Sequence, residues 1–205
     1  MNVREEILRE KIDPLLTRQR LAAVSQLAFA ETEDGSEKPS IRTVKVLSGG
    51  CWNRVVAVSF TTGQPQIVCK ISPEDKDEKI LREYRVLGFF ASHTAMPVPR
   101  PLLVDTSGRL LPGTLLVMTR VPGVVLHRVF GLLTREMVDS LTDQIAAQII
   151  ELHKERGSGF GGAETEEESR FRNWADFWLP RFDAVFAEVS STGLVATDML
   201  GQIEG

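Results

Sequence analysis

The sequence predicts an α+β chain in which an antiparallel sheet comes first and helices follow. Three observations carry that reading. Short apolar, β-branched runs at residues 43–47, 54–60 and 67–71 are separated by turn-forming residues, as in a meander. One amphipathic segment, with Ile80, Tyr84, Leu87, Phe90 and Ala91 at helical spacing, then interrupts the strands. After Pro122-Gly123 the strand pattern stops, and apolar residues recur only at steps of three and four.

Residues 1–30 read as helix. Val3, Ile7 and Leu8 make one patch, Asp13-Pro14 starts a second segment, and Leu21, Val24, Leu27 and Ala28 continue it. An accessory packing helix is expected there, followed by a polar loop over residues 31–40 rich in turn formers. The first strand, 43–47, ends at Ser48-Gly49-Gly50-Cys51-Trp52-Asn53. The glycine pair reads equally as a plain hairpin turn that needs positive φ, or as a place where backbone amides approach a phosphate.

The third strand, Ile67-Val68-Cys69-Lys70-Ile71, is apolar apart from one lysine. Strand alternation places Val68 on the same face as Lys70, and Ile67, Cys69 and Ile71 on the other. A lone strand lysine reads as an edge guard against aggregation. The following helix supports a second reading. Glu83, three residues after Ile80 and four before Leu87, sits on the buried flank, where a carboxylate is tolerated mainly when paired. Asp75, Asp77 and Glu78 lie near the helix start, where the macrodipole accounts for acidic residues.

Prolines 97, 99 and 101 fix an extended entry into a fourth strand at residues 102–105. After a turn at 106–109, residues 115–121 form an apolar strand that Pro122-Gly123 ends, the expected connector to the helices. The strongest helix covers 136–154, with Val138, Leu141, Ile145, Ile149 and Leu152 in phase. A glycine-rich stretch at 156–162 and an acidic run at 164–168 follow; the run reads as solvated surface. Asn173 can cap a last helix bearing Trp174, Phe177, Trp178, Phe182, Val185 and Val189, which Pro180 is expected to kink or split.

Composition bounds the function classes. The 205 residues are 42% hydrophobic and 25% charged, ordinary for a globular chain, and the net charge of −4 offers no basic field for nucleic acid. No apolar run approaches the roughly 20 residues of a membrane span, and the charged N-terminus lacks a signal-type apolar region, so a cytoplasmic protein without membrane partners is expected. Cys51 and Cys69 lack metal-ligand spacing and are expected as reduced thiols. No metal-ligand cluster and no Gly-x-Ser-x-Gly turn points to a metalloenzyme or a nucleophilic hydrolase.

Strands first, then helices, with glycine turn, strand lysine and helix glutamate in that order, resembles the protein-kinase-like fold. The wording is closer to the aminoglycoside phosphotransferase family of small-molecule kinases. The residues that carry the resemblance are Leu47-Ser48-Gly49-Gly50 with Asn53, Val68-Cys69-Lys70, Arg82 to Leu87, Val98 to Pro101, Leu116-Val117-Met118 with Val121-Pro122-Gly123, and Leu152-His153. They span roughly residues 43–190. A fructosamine-kinase-like enzyme fits Gly49-Gly50-Cys51 and Asn53 as well, but the region from Pro99 to Val121 less well.

The resemblance implies a helical extension and loop at 1–40, a nucleotide-binding lobe of antiparallel sheet and one main helix at 41–121, and the first helices of an incomplete helical lobe at 122–205. It also implies a phosphotransferase that moves a phosphoryl group from ATP or GTP, with Mg2+, to a hydroxyl of a small polar substrate. In that reading Gly49, Gly50 and Asn53 belong to the phosphate-covering turn, Val68 roofs an adenine pocket, Lys70 meets the phosphates and Glu83 orients Lys70. Met118, Thr119, Arg120 and Val121 supply backbone contacts to adenine.

No catalytic residue is assigned. The family's catalytic loop needs a His-x-Asp, and none of His93, His127 or His153 has an aspartate two residues on. His127-Arg128 mimics that loop's start, but Val129 stands where the acid belongs. The expectation is therefore a fragment that ends before the catalytic loop and the metal ligands, and that self-associates through its unfinished helical lobe. The alternative is a non-catalytic kinase-like module that binds nucleotide or a partner.

Overall fold

The structure is a computed structural model, and it describes residues 13–30, 38–47, 52–74, 77–162 and 170–192. A 3-10 turn at Asp13–Leu15 precedes helix α1, Arg18–Ala28, which Thr17 caps by accepting the Arg20 N–H. Strands β1 (Ile41–Leu47), β2 (Arg54–Phe60) and β3 (Ile67–Ser72) follow, then α2 (Glu78–His93), β4 (Pro101–Asp105) and β5 (Thr114–Thr119). The short α3 (Leu126–Val129) and a 3-10 turn at Phe130–Leu132 lead to α4 (Arg135–Leu152), and α5 spans Trp174–Thr192. Residues 1–12, carrying the predicted Val3, Ile7 and Leu8 patch, lie outside the described residues, as do Gly49, Gly50 and Cys51.

The five strands form one antiparallel sheet in the order β1-β2-β3-β5-β4. Strand β5 inserts between β3 and β4, so β3 is the middle strand and Lys70 is not at an edge. The edge-guard reading of Lys70 therefore falls. Pro101 opens β4, which does lie at an edge, where a missing N–H interrupts no central ladder.

Alternation along β3 divides the core into two layers. Ile67, Cys69 and Ile71 join Val56, Val58, Leu115 and Val117 beneath Leu21 and Val24 of α1. Val68 joins Leu116 and Met118 on the opposite face, covered by Ile80, Tyr84 and Leu87 of α2. Each layer removes full aliphatic side chains from water, at about 1.5–3 kcal/mol apiece, so a one-residue slip of β3 would exchange the layers and is strongly disfavoured.

Cys69 is fully buried as a free thiol, and burial pushes its pKa from 9.0 up to about 12. The folded state then holds a proton that the unfolded chain releases between those two values. Stability from this group is complete below pH 9 and falls by about 1.4 kcal/mol per pH unit as the pH rises from 9 toward 12. Cys69→Val is expected to flatten that part of the urea-unfolding profile relative to the parent. Identical alkaline slopes in the two proteins would contradict the assignment.

The chain divides into two compact units between Lys154 and Glu155. Helix α4 in the first unit has no buried residue, and Ile145, Ile149 and Ile150 are exposed. In the second unit Phe160 and Phe171 exchange backbone hydrogen bonds of 2.8 and 2.9 Å, and Trp174 stacks on Trp178 with centroids 5.6 Å apart. Asn173 accepts the Asp176 N–H at 2.9 Å, the expected cap. Of the two outcomes expected at Pro180, a kink or a split, the split does not occur: α5 runs through it as one helix. Proline deletes one N–H, and the orphaned carbonyl belongs to exposed Asp176, where water can reach it. No helix among the described residues is long and apolar enough to cross a membrane.

Candidate functional site

Lys70 enters the site from the middle of the sheet and Glu83 from α2. Asp77 starts that helix: its carboxylate accepts the N–H groups of Lys79 at 2.9 Å and Ile80 at 3.4 Å. Ile80, Tyr84 and Leu87 then press on the sheet while Arg82 and Arg85 face solvent. Glu83, between these faces, accepts a hydrogen bond from the Lys70 ammonium. The side chains are 22% and 34% exposed respectively. An ion pair this open holds Lys70 in place and leaves it reachable by an anionic ligand.

The register fixes what surrounds the pair. Leu47, Val55, Lys70 and Leu116 stand in one row across β1, β2, β3 and β5. The next row on that face runs Lys45, Ala57, Val68 and Met118. The β1 end at Leu47 and the β2 start at Arg54, which lie before and after Gly49-Gly50 in the chain, are thus level with Lys70. The roles expected of Gly49 and Gly50 fall outside the described residues. Asn53 is described, and its buried Oδ1 has no hydrogen-bond partner among the described residues. Its neighbour Trp52 lies under the Lys79 ammonium, 5.6 Å from the ring centre.

A cavity of about 600 Å³ opens beside the second row. Val68, Met118, Thr119, Arg120 and Val121 all line it, with Leu47 alongside. Its size falls within the range of small-molecule sites, and its lining is mainly apolar with a few polar groups. Lys70 is two residues along β3 from Val68 on the same face, about 7 Å away by strand geometry.

The backbone of the segment from Met118 to Val121 is unevenly available. The Thr119 N–H donates to the Arg100 carbonyl at 2.8 Å, and the Arg120 N–H donates to the Gln66 carbonyl at 2.9 Å. The Arg120 guanidinium also holds the Gln66 side-chain oxygen at 2.7 Å. The Val121 N–H has no hydrogen-bond partner among the described residues. Among Thr119, Arg120 and Val121 it is therefore Val121 whose backbone N–H is left for a ligand.

Sequence reasoning missed much of the cavity's far wall. Val124, Val125 and Arg128 line it, and Lys45 and Arg128 add positive charge. Val124 and Val125 follow Pro122-Gly123 without periodicity, so only an apolar pair directly after a strand end could have signalled them. Among the described residues no group of three or more His, Cys, Asp or Glu could hold a metal ion.

The profile of the Phosphotransferase enzyme family matches residues 43–190. No curated protein matches the chain significantly. One similar solved structure is that of a proposed aminoglycoside phosphotransferase from Ralstonia eutropha JMP134, 21% identical with a TM-score of 0.40. That match covers 54% of this chain and 29% of the other, so the chain spans less than a third of that protein's length. The family profile runs from β1 into α5 and covers the ion pair and the whole cavity lining: the chain belongs to the phosphotransferase enzyme family.

Proposed function

We propose that the described site is the nucleotide-holding part of an ATP- or GTP-dependent kinase that phosphorylates a hydroxyl of a small polar molecule. The observation that carries this reading is the Lys70–Glu83 pair, formed on the face of the sheet whose next row walls the cavity. In this reading the base lies between Leu47, Val68 and Met118, and the Val121 N–H donates to one of its ring acceptors. The phosphates extend along β3 toward Lys70, whose ammonium donates to their oxygens while Glu83 holds it in place. Asn53 and the backbone of Gly49 and Gly50 cover the phosphates from the β1–β2 side. ATP with Mg2+ would bring the transferable phosphoryl group, and positioning and charge neutralisation carry most of that chemistry. The described residues include no carboxylate cluster for the metal.

Calorimetric titration of the 205-residue chain with Mg-ATP, Mg-GTP and Mg-AMP tests the reading. Saturable binding of one triphosphate, tighter than the monophosphate, is expected. Absence of binding to either triphosphate at millimolar concentration would remove it.

A further inference from the structure

The contact between Lys70 and Glu83 depends on how α2 is seated along β3, and a buried polar knot sits where the two elements meet. Ser72 is two residues beyond Lys70 on the same face of β3 and pairs across the sheet with Thr114. The Ser72 hydroxyl donates to Asp77 Oδ2 at 2.6 Å, and the Asp77 N–H donates to Thr114 Oγ1 at 2.9 Å. The Thr114 hydroxyl in turn donates to the Glu74 carbonyl at 3.0 Å, while the Glu74 N–H reaches Ser72 Oγ at 3.3 Å. Ser72 and Thr114 are fully buried and Asp77 nearly so.

Polar groups in such a place add little net stability, because each surrenders hydration to make its bond. What they do specify is geometry. Asp77 caps α2 with one carboxylate oxygen and binds β3 with the other, so the first turn of the helix cannot slide along the strand without breaking both. Glu83 lies six residues further, about 9 Å along the helix axis, and Lys70 about 7 Å back along the strand. The knot is thus the near anchor of both arms that carry the ion pair.

We propose that Ser72, Asp77 and Thr114 are positioning residues that set the register of α2 on β3, and through it the contact of Glu83 with Lys70. Only the consequence for nucleotide affinity rests on the proposed function; the consequence for the ion pair does not.

The test reads the pair directly. In protein labelled with 15N-lysine, the Lys70 side-chain resonance, assigned by its loss in Lys70→Arg, is followed without nucleotide in Glu83→Gln, Ser72→Ala, Thr114→Val and Thr114→Ser. Ser72→Ala and Thr114→Val are expected to move it toward its Glu83→Gln position, and Thr114→Ser, which keeps the hydroxyl, to leave it in place. An unmoved resonance in folded Ser72→Ala and Thr114→Val would overturn the assignment. So would failure of both to fold, since that would give the knot a purely structural role.

Mg-ATP titration forms the second arm. Ser72→Ala is expected to weaken binding about three- to tenfold. In a Glu83→Gln background it should add nothing, because the two act through one contact. Equal, additive losses would overturn the positioning role. A parent chain that binds no nucleotide but shows the expected resonance shifts would defeat the kinase reading and leave the register assignment intact.

Discussion

Lys70→Ala is expected to weaken Mg-ATP binding about ten- to hundredfold while lowering folding stability by about 1 kcal/mol or less. The two effects differ because the ammonium does different work in each. Toward Glu83 it forms an ion pair with both side chains partly in water, and such pairs contribute little. Glu83 left alone is 34% exposed and can be rehydrated. In the proposed function the ammonium would also give a bound triphosphate charge-assisted hydrogen bonds that alanine cannot replace, each worth about 1.5–3 kcal/mol. Calorimetry gives the affinity and urea unfolding the stability. Equal Mg-ATP affinity in the two proteins would strip Lys70 of its assigned role. A stability loss much larger than the affinity loss would recast the pair as a structural element.

The pair was legible in the sequence because both halves break a pattern that is otherwise clean. Lys70 interrupts an apolar strand, and Glu83 sits on the apolar flank of a periodic helix, so each charge marks itself. The two core layers were legible for the same reason: alternation in a strand covered on both sides assigns each residue to a face. The strand order was not. That β5 inserts between β3 and β4 is a matter of tertiary packing, and local patterns cannot distinguish it from a simple meander.

Asp77 shows how a correct local reason can hide a larger one. The macrodipole accounts for an acid at a helix start, but this carboxylate is buried and also bound to Ser72. Thr114, which accepts its N–H, lies 37 residues further on, beyond the reach of any local motif. At Pro180 the local rule leaves two outcomes open, a kink or a split, and the structure answers only the second: α5 runs through the proline as one helix.

Gly113→Ala is expected to lower folding stability by about 3–5 kcal/mol, which places it among the most damaging single changes available to this chain. Two independent causes act there. Its φ of +90° is a conformation that L side chains rarely adopt. A β-carbon would also lie 1.9 Å from the Ser72 carbonyl oxygen and within 3.1 Å of the Ser72 and Pro73 carbonyl carbons. Those neighbours are backbone, so no rotamer change relieves the clash. Either β5 moves off β3 at its first residue or Ser72 shifts, and both routes break the polar knot with Asp77 and Thr114. Two controls separate the causes. Gly108→Ala, at φ +68° with no non-neighbouring atom nearer than 3.9 Å, isolates the backbone strain and should cost about 1 kcal/mol. Gly63→Ala, with open space and no positive φ, should stay within about 0.5 kcal/mol of the parent. Urea unfolding of the three variants reads the series. If Gly113→Ala costs no more than Gly108→Ala, the close approach of Gly113 to Ser72 does not hold, and the tight seating of β5 against the end of β3 fails with it.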